Sequence, residues 1–161
     1  MVYLTADTHF SHTNILRYCQ RPFVNTHEMN KTMIDNWNAV VTPEDTVYHL
    51  GDFCLGSLNE QCRIFNMLNG KKYLVKGNHD SSATRMVRVG FTVLDNGTIY
   101  EGGMELVHNP KNAKTEGVVL HGHIHNSPSL LVPRFINVGV DVRAFAPVSL
   151  TTLEQEIAYW K

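Results

Sequence analysis

Asn78, His79 and Asp80 set an amide, an imidazole and a carboxylate side by side, directly after Lys76-Gly77 and the apolar run Tyr73-Leu74-Val75. Such groups are costly to bury unless something satisfies them, so a buried strand that stops at a glycine and then presents all three is built for chemistry. The arrangement recurs. Asp7-Thr8-His9 follows Val2-Tyr3-Leu4, Gly51-Asp52 follows Val47-Tyr48-His49-Leu50, and Gly122-His123-Ile124-His125 follows Gly117-Val118-Val119-Leu120. Four apolar runs each deliver metal-type donors where a strand would end, which is where open α/β sheets place their sites. Taken singly, Asp7-x-His9 and Gly51-Asp52 also read as ordinary turns, so the weight lies on their recurrence.

Strands must carry these donors, and the hydrophobic pattern supplies them. Residues 2–6 read as a buried first strand ending at Asp7. Residues 9–20 are polar and mixed, a loop or short helix with His12, Asn14 and Arg17 on or near one side. Thr26 opens a helix in which Met29, Met33, Trp37 and Val40 or Val41 form the inward stripe, while Asn30, Lys31, Asp35 and Asn38 face away. Pro43-Glu44-Asp45 turns into a second strand at 46–50. Gly56-Ser57 leads into a second helix at 59–68, with Cys62, Phe65 and Leu68 inward and Asn69-Gly70 closing it. A third strand follows at 73–76. This β-α-β-α-β order predicts a parallel layer with right-handed crossovers. After a short helix at 81–89 come brief β-rich runs at 91–94, 98–101, 104–108, 118–121 and 135–140. Asn96-Gly97 and Gly102-Gly103 between them are hairpin signals, so a mainly antiparallel second half is expected. Residues 126–133 read as a loop, and Ser149 caps a last short helix through 158.

The 161 residues, 43% hydrophobic, fit one domain spanning 1–161 with a core and a layer on either side. With 14 basic against 15 acidic residues there is no broad electrostatic footprint for nucleic acid or an anionic membrane. Cys19, Cys54 and Cys62 lack C-x-x-C spacing and read as reduced thiols of a cytoplasmic protein. No leader-like amino terminus and no apolar run of about 18 residues is present, so a soluble, unexported protein is expected.

In the order D-x-H, G-D, G-N-H-D, a lone His108 and G-H-x-H, the set resembles the calcineurin-like metallophosphoesterase superfamily, over residues 7–125. The short length and the phrases Asp7-Thr8-His9-Phe10, Arg21-Pro22-Phe23 and Val47-Tyr48-His49-Leu50-Gly51-Asp52-Phe53 resemble its small, uncapped bacterial and phage branch. The resemblance implies an α/β fold of two packed mixed β-sheets flanked by helices, an α-β-β-α sandwich with the metal site at the carboxyl ends of the strands. It further implies two divalent ions. Asp7, His9 and His125 would complete the protein ligands of one ion, Asn78, His108 and His123 those of the other, and Asp52 is the natural bridge. Imidazole and carboxylate oxygen suit Mn²⁺ first, with Fe, Co, Ni or Zn²⁺ as the alternatives, whereas the lack of thiolates argues against a structural zinc.

By the same resemblance His79 is not a ligand but would donate a proton to the leaving oxygen or steady charge building on the phosphoryl group, with Asp80 as its orienting partner. Two close metals can hold a bridging water, acidify it to hydroxide and clamp the phosphoryl oxygens. His12, Arg17 and Arg21 are candidates for gripping substrate. His49 and His121 read as core or supporting groups, and Asn137-Val138-Gly139 as a turn beneath the metals. Val107-His108-Asn109-Pro110 departs from the family in carrying an asparagine where relatives often have glycine or serine, which changes the local substrate contacts. The expected activity is metal-dependent phosphoester hydrolysis of a small or locally accessible substrate, with diesters preferred because only Arg17 and Arg21 lie where they could clamp a dianion. A phosphomonoesterase or nuclease on the same site, and a non-catalytic interaction module, are the alternatives. Oligomeric state is not readable.

Overall fold

The computed structural model describes residues 1–100, 102–127 and 133–159. Among the described residues, nine strands form two sheets. The first, in the order β4-β3-β2-β1-β9, comprises Thr92–Leu94 (β4), Lys71–Val75 (β3), Thr46–His49 (β2), Val2–Thr5 (β1) and Val148–Ser149 (β9). The second, in the order β5-β6-β7-β8, comprises Thr98–Tyr100 (β5), Met104–Val107 (β6), Val119–His121 (β7) and Phe135–Asn137 (β8). Helices α1 (Thr13–Tyr18), α2 (Thr26–Val40), α3 (Leu58–Met67), α4 (Ala83–Val89) and α5 (Leu150–Tyr159) flank them.

Alternation along each strand builds the layers. Tyr3, Val47 and Leu74 point into a cluster with Met29, Met33, Trp37 and Ile64 of α2 and α3. Their neighbours Leu4 and Val75 join Leu106, Leu120 and Ile136 of the second sheet, together with Leu153 of α5. The first sheet is thus covered on one face by helices and on the other by the second sheet, the two-sheet architecture the resemblance implies.

Two local expectations fail. Asn30 is buried rather than outward, because its amide donates to Ser11 Oγ and its carbonyl accepts Ser11 N–H, at 2.9 and 3.0 Å. The second half is also not mainly antiparallel. Asn96-Gly97 and Gly102-Gly103 do frame the antiparallel β5–β6 pair, but β4 adds to the first sheet in parallel, and β6–β7 and β7–β8 are parallel. The parallel pairing brings the carboxyl ends of β6, β7 and β8 to one edge, as it does those of β1, β2 and β3. Backbone bonds continue past the strands, with Asp7 and His9 N–H donating to Gly51 and Asp52 carbonyls at 2.9 Å, and Val140 N–H donating to Ala6 at 3.0 Å. These bonds lash the strand-end loops of both sheets together.

Candidate metal centre

Each donor sits on a loop residue just past a strand, and the backbone there is bent sharply. Asp7, His9, Asp52, His123 and His125 all have positive φ, between 47° and 70°. Non-glycine residues rarely adopt this region, which costs of order 1–3 kcal/mol each and concentrates at functional sites. Close backbone packing keeps the loops in place. At Gly77 a Cβ would lie 2.2 Å from Asp52 Oδ1, and at Gly51, itself at φ +95°, one would lie 2.4 Å from His108 Nδ1. Any side chain at either position would push a donor aside.

The donors form two groups that meet at one carboxylate. Asn78 Oδ1 lies 3.0 Å from both His108 Nε2 and His123 Nδ1, which are 3.2 Å apart. Asp7, His9 and His125 bring one donor atom each within 4.8 Å of one another. Asp52 Oδ2 stands 3.3 Å from His108 Nε2 and 3.5 Å from His9 Nε2, between the groups. Asp7 Oδ1 and His9 Nε2 are buried with no hydrogen-bond partner. A buried carboxylate oxygen and imidazole nitrogen left open side by side fit a cation, whose charge would satisfy both. Burial pushes the Asp7 carboxyl up to about 7 and the His9 imidazole down to about 3. For Asp52, burial is outweighed by the His108 bond and charge and by the His79 N–H, which hold the carboxyl well below the usual range.

Neighbouring groups fix the histidine tautomers. His108 Nδ1–H donates to the Leu50 carbonyl at 2.7 Å and His125 Nδ1–H to Asp141 Oδ2 at 2.8 Å, turning each Nε2 toward the centre. Burial alone would lower His125, but the Asp141 bond lifts it to about 10. Asn137 amide donates to the His125 carbonyl, and its own carbonyl accepts Gly139 N–H, both at 2.8 Å, so the 137–139 turn supports the centre from beneath. Buried His49 and His121 sit behind, bonded to Thr8 Oγ1 and the Gly122 carbonyl.

Two assigned roles need correction. Asp80 does not orient His79. Its carboxylate accepts the N–H groups of Asp52, Phe53 and Gly77, each at 2.8 Å, and so fastens the Asp52 loop to the Asn78 loop. Arg21 does not face substrate. Its fully buried guanidinium forks onto Asp141 at 2.8 and 3.0 Å and donates to the Asp7 and Thr8 carbonyls at 2.6 and 2.9 Å. Asp141 was missed by sequence reasoning, although a charged residue directly after the apolar Val138-Gly139-Val140 was a legible sign. Arg17 is exposed and lies against the Tyr18 ring, 5.8 Å from its centroid. His79 is exposed, its ring 5.6 Å from that of His9. The His12 ring lies 5.4 Å from His9, its Nδ1 buried without a partner.

A family model described as calcineurin-like phosphoesterase matches residues 1–144. The chain belongs to that family. An uncharacterised protein of Methanocaldococcus jannaschii is 40% identical, over 92% of this chain and 86% of its own. The Gene 66 protein of Mycobacterium phage L5 is 31% identical over 48% of this chain and 39% of its own. A crystal structure of a protein of unknown function from Aquifex aeolicus superposes with a TM-score of 0.78 at 28% identity, covering 96% of this chain and 98% of that one. Membership in the calcineurin-like phosphoesterase family makes this a metal-dependent phosphoesterase fold, and the described residues include candidate ligand clusters for divalent ions. None of the described helices is long and apolar enough to cross a membrane.

Proposed function

We propose that this phosphoesterase is a dinuclear-metal phosphodiesterase, with Asp7, His9 and His125 holding one divalent ion, Asn78, His108 and His123 the other, and Asp52 shared. The position of Asp52 Oδ2, between His9 Nε2 and His108 Nε2, carries this reading. When bound, the ions supply Lewis acidity toward phosphoryl oxygens and acidify a water enough for it to attack phosphorus near neutral pH. The remaining work falls to the chain. His79, exposed beside His9 and not bonded to Asp80, donates a proton to the departing ester oxygen. His12, whose ring lies 5.4 Å from that of His9, orients a phosphoryl oxygen. The diester preference gains support from Arg21, whose guanidinium is committed to Asp141 and two carbonyls and leaves Arg17 as the one cation of that segment able to reach a dianion. Three free thiols fit a reducing, cytoplasmic setting, and the uncapped centre takes a small phosphoester substrate.

Elemental analysis after loading with Mn²⁺ is expected to give two ions per chain, and kcat/KM for bis-p-nitrophenyl phosphate should exceed that for p-nitrophenyl phosphate. A monoester value about tenfold higher, a ΔΔG‡ of about 1.4 kcal/mol, overturns the diester preference. Two bound ions without turnover on any ester favours the non-catalytic interaction module.

A further inference from the structure

The reacting centre opens at its His108–His123 end into space that the chemistry above does not use. A recess of 270 Å³ lined by Lys76, Asn78, His108, Asn109 and His123 adjoins a cavity of 620 Å³. Asn109 and His123 line both, so the two are continuous with the centre. The cavity lies well within the roughly 300–1,000 Å³ of small-molecule sites and is far larger than a methyl or ethyl arm needs.

Its walls are mixed in a specific way. Pro110, Ala113, Ile124 and Phe135 make an apolar floor, while Lys111 and Arg134 bring two cations, and no carboxylate lines either space among the described residues. Arg134 is held flat: its guanidinium stacks 4.2 Å from the Phe135 ring centroid and donates to the Thr115 and Gly117 carbonyls at 2.9 and 3.3 Å. Lys111 is exposed, its backbone N–H taken by Asn109 Oδ1 and its ammonium without a partner among the described residues. A fixed planar cation beside apolar surface stacks on a heterocycle, and an unpaired ammonium seeks an anion. Against a net charge of −1 for the whole chain, this concentration of positive charge is local.

We infer that this cavity holds the non-leaving arm of the diester, and that the arm is a nucleotide: a planar base against Ile124 and Arg134, with a further phosphate met by Lys111. The inference rests on the phosphodiesterase reading and gives its substrate class. His79 packs toward His9, and neither residue lines either space, so the leaving arm departs outside the cavity that retains the nucleotide. Asn109, where the chain departs from its family's pattern, stands at the junction of the two spaces and offers its amide to the sugar.

The test keeps one leaving group and varies the retained arm. Methyl p-nitrophenyl phosphate, thymidine 5′-(p-nitrophenyl phosphate) and its 3′-phosphorylated form are compared on the Mn²⁺-loaded full chain. Stacking predicts a kcat/KM gain of roughly tenfold for thymidine over methyl, and the extra phosphate roughly tenfold more. Ala113→Trp, which fills the cavity, should remove both gains, and Lys111→Glu the second alone, while neither changes the methyl substrate more than about twofold. Equilibrium binding of thymidine 3′,5′-bisphosphate in EDTA gives a readout independent of turnover, with both variants expected to weaken it. If no substrate is turned over but the bisphosphate binds and the variants weaken it, the cavity assignment stands and the phosphodiesterase reading falls. Equal rates for all three arms, or bisphosphate binding that is absent or indifferent to both variants, overturns the inference.

Discussion

Asp52 and Asp80 are both buried aspartates of adjoining loops, and they do opposite things. Asp52 keeps Oδ2 toward two imidazoles, whereas Asp80 surrenders both oxygens to backbone N–H groups. The distinction separates reacting groups from fastening groups and predicts opposite mutant phenotypes. His79→Ala should cut turnover by roughly 10²- to 10⁴-fold, the range for a general acid, with metal content and unfolding midpoint unchanged. Asp80→Ala leaves three buried N–H groups unpaired and should cost about 3 kcal/mol or more in urea unfolding, with metal occupancy falling as the loops separate. If His79→Ala lost its metal, or Asp80→Ala unfolded like the parent chain, this division would be wrong. Sequence adjacency suggested that His79 and Asp80 act together, yet successive residues in an irregular loop need not face the same way.

At the scale of elements, Arg21 is the tie. It follows α1, reaches back beneath the loop after β1 through the Asp7 and Thr8 carbonyls, and forks onto Asp141 beyond β8, which in turn holds His125. Segments far apart in the chain are joined by one guanidinium. Breaking a buried ion pair costs about 3–5 kcal/mol, so Arg21→Met should lower stability by that order, while exposed Arg17→Ala stays within about 0.5 kcal/mol. Equal losses in a side-by-side denaturant titration would refute the assignment. The contrast marks what could be read beforehand. Apolar runs ending in donors were visible because burial and chemistry both leave marks on residue type: Val2 to Leu4 before Asp7, Tyr73 to Val75 before Asn78. Strand direction in the second half was not, since the hairpin glycines at 97 and 103 are local while the β6–β7 and β7–β8 pairings depend on which sheet edge lies free. Arg21 was legible as a cation near a motif, but a basic side chain next to a motif looks the same whether it faces solvent or an aspartate 120 residues away.

For the whole molecule, the cluster of open donors makes stability depend on metal and on pH together. Asp7 titrates near 7 in the metal-free fold, against an ordinary value of about 3.9 in the unfolded chain. Between those values the folded chain carries a proton that the unfolded chain does not. Its contribution to stability is complete below about 4 and is lost as pH rises toward 7. A divalent ion takes that proton's place, and protons on the donor histidines oppose it as well, so metal and proton compete at the same atoms. The shift in Tm on adding Mn²⁺ should therefore be larger at pH 8 than at pH 5. With free ion at about 100 times its Kd, the gain is about 2.7 kcal/mol, or roughly 5–10 °C for a chain of this size. Scanning calorimetry with and without EDTA at the two pH values measures it. A shift that is equal at both, or larger at pH 5, would mean that the ion does not engage Asp7 or the histidines.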